Sequence, residues 1–165
     1  RVKEVLQYLR EQGLAQKGAD RVSLGLGGGG DPENNKRVEQ AAIRVVVAYF
    51  GDWTFADRSP EDLGWDLEFR KGSRKIFVEV KGRSSGSPAP VVLTRNERKQ
   101  FELSTRDRLH AEKYRLAIVH NSLSGCPSLR LYRHTEIWGW RCERTEERLA
   151  MQPLGLLFQP IPSKE

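Results

Sequence analysis

The stretch GWDLEFRKGSRKIFVEVKG, Gly64 to Gly82, constrains the fold more than any other part of the chain. Apolar and polar residues alternate on both sides of RKGSRK, so the segment predicts a β-hairpin turning at Gly72 and Ser73. Pairing centred there sets Phe69 against Ile76, Leu67 against Val78 and Trp65 against Val80, and these six side chains share one apolar face. The same register sets Asp66 opposite Glu79 and Gly64 opposite Lys81 on the other face. A slip of one residue would mix apolar and charged positions.

Like charges directly opposed on a sheet are destabilising. A divalent cation between two carboxylates removes that repulsion, and magnesium suits such a site because it takes one or two carboxylates and keeps several waters. Lys81, two residues from Glu79 on the same face, is placed to orient an attacking water and to stabilise charge developing on a phosphate. The plainer reading of the same residues is a solvent-facing hairpin with scattered charges. Glu39 on the preceding helix adds a further acid, and it also fits a surface residue favoured by the helix dipole.

The rest of the chain supplies the frame. Residues 2–12 have helical spacing, and LGLGGGGDPENN reads as a flexible joint. The glycine run lacks the Gly-Lys-Ser/Thr ending of a phosphate-binding loop. Asn35 to Phe50 carries an apolar helical stripe, Trp53 to Asp57 alternates as a strand, and RSSGSPAP after Gly82 reads as a mobile loop. Thr94 with Glu97 predicts a capping box and a helix running to about His110. Tyr114–Asn121 and Ser128–His134 read as strands, EIWGWRCE as a further strand, TEERLAM as a helical turn and the Pro-rich end as irregular. The sum is an α/β fold: helix, three strands, helix, two strands, with a mixed sheet and a helix on each face. The expected division is a helical element at 1–26, a linker at 27–35, the main domain at 36–150 and a tail at 151–165.

A chain of 165 residues can bury one core without disulfides. Cys126 and Cys142 are too few and too far apart for a framework, which points to a reducing, cytoplasmic setting. They lack zinc-site spacing with His134, and no apolar run reaches membrane-span length. The chain begins at Arg1, which reads as a piece of a longer protein. Trp138 and Trp140 fall on one face of the expected strand, as core residues or as a contact for a neighbouring domain.

Glu39, Asp66 and Glu79-Val80-Lys81, on a helix and two adjacent strands, resemble the PD-(D/E)xK superfamily of restriction-endonuclease-like nucleases, with their αβββαβ core. More narrowly, GWDLEF, IFVEVKG and VVLTRNE together resemble the NO VEIN C-terminal domain family over roughly Lys36 to His134. In bacteria that domain is attached to helicases and other ATPases of DNA metabolism and defence. The resemblance implies that Asp66 and Glu79 hold Mg2+ or Mn2+ with the Val80 carbonyl as third ligand. It implies that Lys81 positions the attacking water, and that Glu39 acts through a water or helps to hold a second cation. Trp65 stands where many members have proline.

The formal net charge of +6 and sequence pI near 9.5 favour an anionic partner. Arg70, Lys71, Arg74 and Lys75 at the hairpin tip, with Arg83, Arg95, Arg98 and Lys99, fit sequence-independent contacts to DNA phosphates. A solvated turn and helix face is the other reading. The expectation is a metal-dependent DNA endonuclease module of a larger bacterial protein, working beside an ATPase or helicase domain. Cutting both strands would call for a homodimer or two successive nicks. The rivals are an inactive DNA-binding or docking module on the same scaffold, and a nuclease for RNA or DNA repair. Glu97 completes the cap or reaches toward the metal site, and the cap is the preferred reading.

Overall fold

The computed structural model describes residues 31–86 and 89–152, and the backbone of 155–159. The helical element expected at 1–26 and residues 27–30 of the linker lie outside these residues. Helix α1 (Pro32–Phe50) starts inside the segment read as linker. Asp31 caps it by accepting from the Glu33 N–H at 3.0 Å, and proline occupies the first turn, where no N–H is needed.

Strands β1 (Thr54–Asp57), β2 (Leu67–Lys71), β3 (Arg74–Gly82) and the short β4 (Val91–Val92) follow. A 3-10 turn, Ser59–Glu61, lies between β1 and β2. Helix α2 (Arg95–Arg106) opens with the capping box that Thr94 and Glu97 predict. It ends earlier than expected, because Asp107 adopts extended backbone and accepts from the N–H groups of Leu109 and His110. That cap starts a separate helix, α3 (Arg108–Lys113). Strands β5 (Tyr114–His120), β6 (Ser128–Thr135), β7 (Gly139–Cys142), β8 (Arg148–Gln152) and β9 (Gly155–Gln159) complete the chain. The helical turn expected in TEERLAM and the irregular tail are therefore corrected at 148–152 and 155–159, which add strands to the sheet, while residues 160–165 lie outside the described residues.

The nine strands form one mixed sheet in the order β1-β2-β3-β5-β6-β7-β8-β9-β4. The β3–β5 pair is parallel, and α2 and α3 lie in the crossover between them. The chain is thus a mixed α/β fold with helices on both faces. Helix α1 buries Ala42, Val46 and Phe50 against Leu67, Phe69, Ile76, Val78 and Val80. Phe50 stacks on Phe69 with ring centroids 4.0 Å apart. On the other face Phe101 of α2 packs with Tyr114, Leu116, Ile118, Tyr132 and Trp140. Trp140 is core as expected, whereas Trp138 lies in the turn before β7, half exposed under the Arg148 guanidinium.

The hairpin register holds from Leu67–Val78 to Lys71–Arg74. Ahead of it the expectation fails. The Asp66 N–H donates to the Val78 carbonyl at 3.0 Å, although Leu67 is already the partner of Val78. Two residues against one is the geometry of a β-bulge, which interrupts the alternation of side chains. Trp65 consequently leaves the apolar face shared by its neighbours and packs on the opposite side against Phe77, at 4.5 Å between centroids. Asp66 is outside the ladder rather than directly opposite Glu79.

Gly82 sets how closely α1 approaches β3. A Cβ there would stand 2.8 Å from the Val38 carbonyl oxygen and 2.9 Å from the Ala42 Cβ. Gly82→Ala must push the helix off the strand and is expected to cost about 1–3 kcal/mol. Urea denaturation measures the loss, and a wild-type midpoint would show that the helix moves freely.

Candidate active site

The bulge decides what Asp66 does. Its Oδ2 accepts from the Val80 N–H at 2.9 Å, at the edge of β3 that β2 has left. The N–H and C=O of a strand residue point to the same edge. The Val80 carbonyl therefore opens toward the same side as the Asp66 carboxylate, with no β2 residue paired to it. The loop before the bulge is clamped from α2 and β5. Asn96 donates to Asp62, Gln100 donates to the Leu63 carbonyl, and the Tyr114 hydroxyl donates to the Gly64 carbonyl at 2.8 Å. Gly64 is required here: its φ is +90°, and a Cβ would stand 2.6 Å from the Asn96 carbonyl oxygen.

Glu79 and Lys81 project from β3 on the side away from α1, beneath the start of α2. The Lys81 ammonium lies 2.9 Å from Glu79 Oε1 and 2.7 Å from Glu97 Oε2. Glu97 is at the same time the return half of the capping box, accepting from the Thr94 N–H at 3.1 Å. The preferred reading of Glu97, the cap, holds, and the same carboxylate oxygen also meets Lys81. The Thr-x-x-Glu spacing carried the cap in sequence, but nothing local signalled that this helix start would sit over Lys81.

Two carboxylates, Glu79 and Glu97, flank one ammonium, and its charge also reaches Asp66. Burial lifts Glu79 well above the ordinary carboxylate range, with Asp66 and Glu97 adding to the rise against the pull of Lys81. Asp66 is also raised, first by burial and then by the charges of Glu97 and Glu39, while the Val80 N–H and Lys81 oppose. Glu39 itself is exposed on α1. Burial alone would lower Lys81, but Glu79 and Glu97 hold it above its usual value. Burial likewise opposes ionisation of Glu97, yet Lys81 outweighs it and keeps the carboxyl low.

This donor set fits a hard divalent cation. Asp66 keeps its Oδ1 clear of the Val80 bond, and burial makes the Glu79 charge costly, a cost that a cation beside it would offset. Among the described residues no three His, Cys, Asp or Glu side chains already converge as an ion cage. Two carboxylates and a carbonyl are nonetheless what magnesium uses when it retains waters.

The basic residues divide. Arg83 is buried at 3 % exposure; its guanidinium donates to the Ala89 carbonyl and its N–H to the Val119 carbonyl, so burial pushes it down to about 10. It ties down the loop after β3 instead of lining a groove, which corrects its expected role. Arg70 and Lys75 converge on Glu68. Lys71 pairs with Asp52 at 2.7 Å, and Arg74 lies over the Trp53 ring. Arg95 and Lys99 are exposed on α2, close to Glu97 in sequence, while Arg98 is held by Glu102 and the Gln152 carbonyl. Glu68, Arg58 and Tyr114 are not among the site residues that the sequence suggests.

A family model described as Protein NO VEIN, C-terminal, matches residues 38–132, more than half of the chain. Neither a curated protein nor a solved structure matches. Among the described residues no helix is long and apolar enough to cross a membrane.

Proposed function

We infer that this chain, which belongs to the family of the NO VEIN C-terminal domain, is a metal-dependent nuclease module that hydrolyses phosphodiester bonds in DNA. The observation that carries this is the Glu79–Lys81–Glu97 chain of contacts beside an Asp66 carboxylate turned onto the Val80 N–H. The arrangement is what the PD-(D/E)xK pattern requires of an acid, a second acid and a lysine.

Asp66, Glu79 and the Val80 carbonyl would hold Mg2+ or Mn2+. A bound cation would polarise the phosphoryl oxygen and lower the pKa of the attacking water. Lys81 remains protonated because two carboxylates flank it, so it donates hydrogen bonds and cannot serve as a general base. Its part is to orient the water and to stabilise charge on the phosphate. Glu97 keeps a hold on Lys81 when Glu79 turns to a cation. Glu39 would help through a water or a second ion. Arg95 and Lys99 provide phosphate contacts next to this end of α2. The setting we propose is cytoplasmic, within a larger bacterial defence or DNA-processing protein beside an ATPase or helicase, with a homodimer where both strands are cut.

One feature favours the second reading, a docking module without catalysis: Lys81 bridges Glu79 and Glu97, which gives the cluster an internal counter-charge. End-labelled duplex DNA, single-stranded DNA and RNA incubated with Mg2+ separate the two. The nuclease shortens DNA, RNA-only cleavage redirects the substrate, and the docking module leaves all three intact.

A further inference from the structure

Glu68 is a carboxylate in the middle of β2 that the active site does not use, and it is 5 % exposed. Three cations gather on it. Arg70 Nη2 lies 2.6 Å from Oε1, Lys75 Nζ lies 3.2 Å from the same oxygen, and Arg58 Nε lies 3.7 Å from Oε2. Burial opposes the charge of Glu68, but Arg70 and Lys75 outweigh it and hold the carboxyl below its ordinary range. The cations remain reachable from solvent, their side chains being 59 % exposed for Arg70 and 34 % for both Lys75 and Arg58. Arg58 Nη1 also lies 2.9 Å from Glu61 Oε1, so two carboxylates face three cations and the cluster presents one surplus positive charge on a fixed frame.

Its position gives the surplus a direction. Glu68 pairs with Phe77, and Arg70 with Lys75, so all four lie on the face of the hairpin that also carries Glu79 and Lys81. Lys75 is four residues from Glu79 along one strand, or roughly 13 Å at about 3.3 Å per residue. Arg58 closes the near end, its N–H donating to the Asp66 carbonyl at 2.7 Å. Lys71 and Arg74, by contrast, lie on the opposite face with Asp52 and Trp53.

We propose that Arg58, Arg70 and Lys75, assembled on Glu68, form a phosphate-binding site for the DNA strand on one side of the scissile bond. This rests on the nuclease reading. A reach of roughly 13 Å corresponds to about four nucleotides at about 3.4 Å per strand charge, so the site grips phosphates within four steps of the cut. Contacts of this kind fix register and carry no sequence preference.

The test is binding of a labelled duplex in EDTA across a salt series, by fluorescence anisotropy. Removing three cations would strand a buried carboxylate, so the variant is Arg58→Gln, Arg70→Gln, Lys75→Gln with Glu68→Gln, its fold checked by thermal melting. The salt dependence, log K against log salt, is expected to flatten by roughly 2 to 3, near 0.9 per lost phosphate contact. Lys71→Gln with Arg74→Gln, on the other face, should keep the wild-type slope. A wild-type slope in the quadruple variant, or an equal loss in the control, overturns the proposal. Wild-type protein that binds no duplex overturns it as well. Cleavage is scored separately: a protein that cuts while the quadruple variant keeps its slope loses only this site. A protein that binds through the cluster and never cuts loses only the nuclease reading.

Discussion

Glu79→Gln is expected to stabilise the metal-free protein while abolishing cleavage. The direction follows from linkage. The folded state holds the Glu79 carboxyl well above its ordinary value, through burial and the nearby charges of Asp66 and Glu97. The favourable contribution of the protonated group is complete at acid pH and is lost as pH rises through the folded pKa. Glutamine cannot ionise and keeps that contribution, and Lys81 retains Glu97 as its partner at 2.7 Å. At neutral pH the variant should gain about 1–2 kcal/mol, a rise of roughly 2–8 °C in Tm for a domain of this size. The gain should shrink as pH falls toward the ordinary carboxylate range. Loss of a cation ligand should cut the cleavage rate by about 10²-fold or more. Denaturation in EDTA across pH 4 to 8, beside a cleavage assay, reads both effects. A destabilised Glu79→Gln would mean that the Glu79–Lys81 contact is worth more than its burial costs.

Lys81→Ala is expected to move stability the other way. The variant leaves Glu79 and Glu97 facing each other beneath α2 with no cation between them, and Glu97 is also needed for the helix cap. Removing one partner of a buried ionic cluster costs about 3–5 kcal/mol, and the partial exposure of Lys81, 24 %, argues for the lower end. A fall of roughly 6–12 °C in Tm is expected, with cleavage lost. Because the carboxylates then lack a counter-charge, Mg2+ or Mn2+ should raise the Tm of this variant more than that of the wild type. Calorimetry with and without cation checks this, and equal shifts in the two proteins would place the ion elsewhere. The two substitutions thus inactivate together and separate in stability, which general damage to the fold would not produce.

The parts of this account legible in sequence are those with strong local patterns. Alternation around RKGSRK placed Leu67, Phe69, Ile76 and Val78 on the face that α1 covers, and Thr94 with Glu97 marked the start of α2. Glu79 and Lys81 meet because they stand two residues apart on one strand, and Asp66 reaches the Val80 N–H because the hairpin carries it back to β3. The bulge escaped notice because nothing in Gly-Trp-Asp-Leu distinguishes an interrupted ladder from a regular one. Its cause is tertiary: Asn96, Gln100 and Tyr114 hold the loop from a distance. Arg83 looked like one more basic residue because burial is invisible in composition. Glu68 was passed over because its three partners come from β1's exit, β2 and β3. The strand Arg148–Gln152 was misread as helical because Leu and Ala favour helix and its pairing with β7 and β9 is long-range.

The central claim is that these carboxylates and Lys81 form a cation-dependent phosphodiester hydrolysis site. Nicking of supercoiled plasmid at low salt tests it most directly, with wild-type protein in Mg2+, Mn2+ or EDTA beside Asp66→Asn. Nicked circles are expected with either cation, none in EDTA, and a loss of about 10²-fold or more in Asp66→Asn. Plasmid that is bound yet stays supercoiled with both cations, or nicking that continues in EDTA or at full rate in Asp66→Asn, would contradict it.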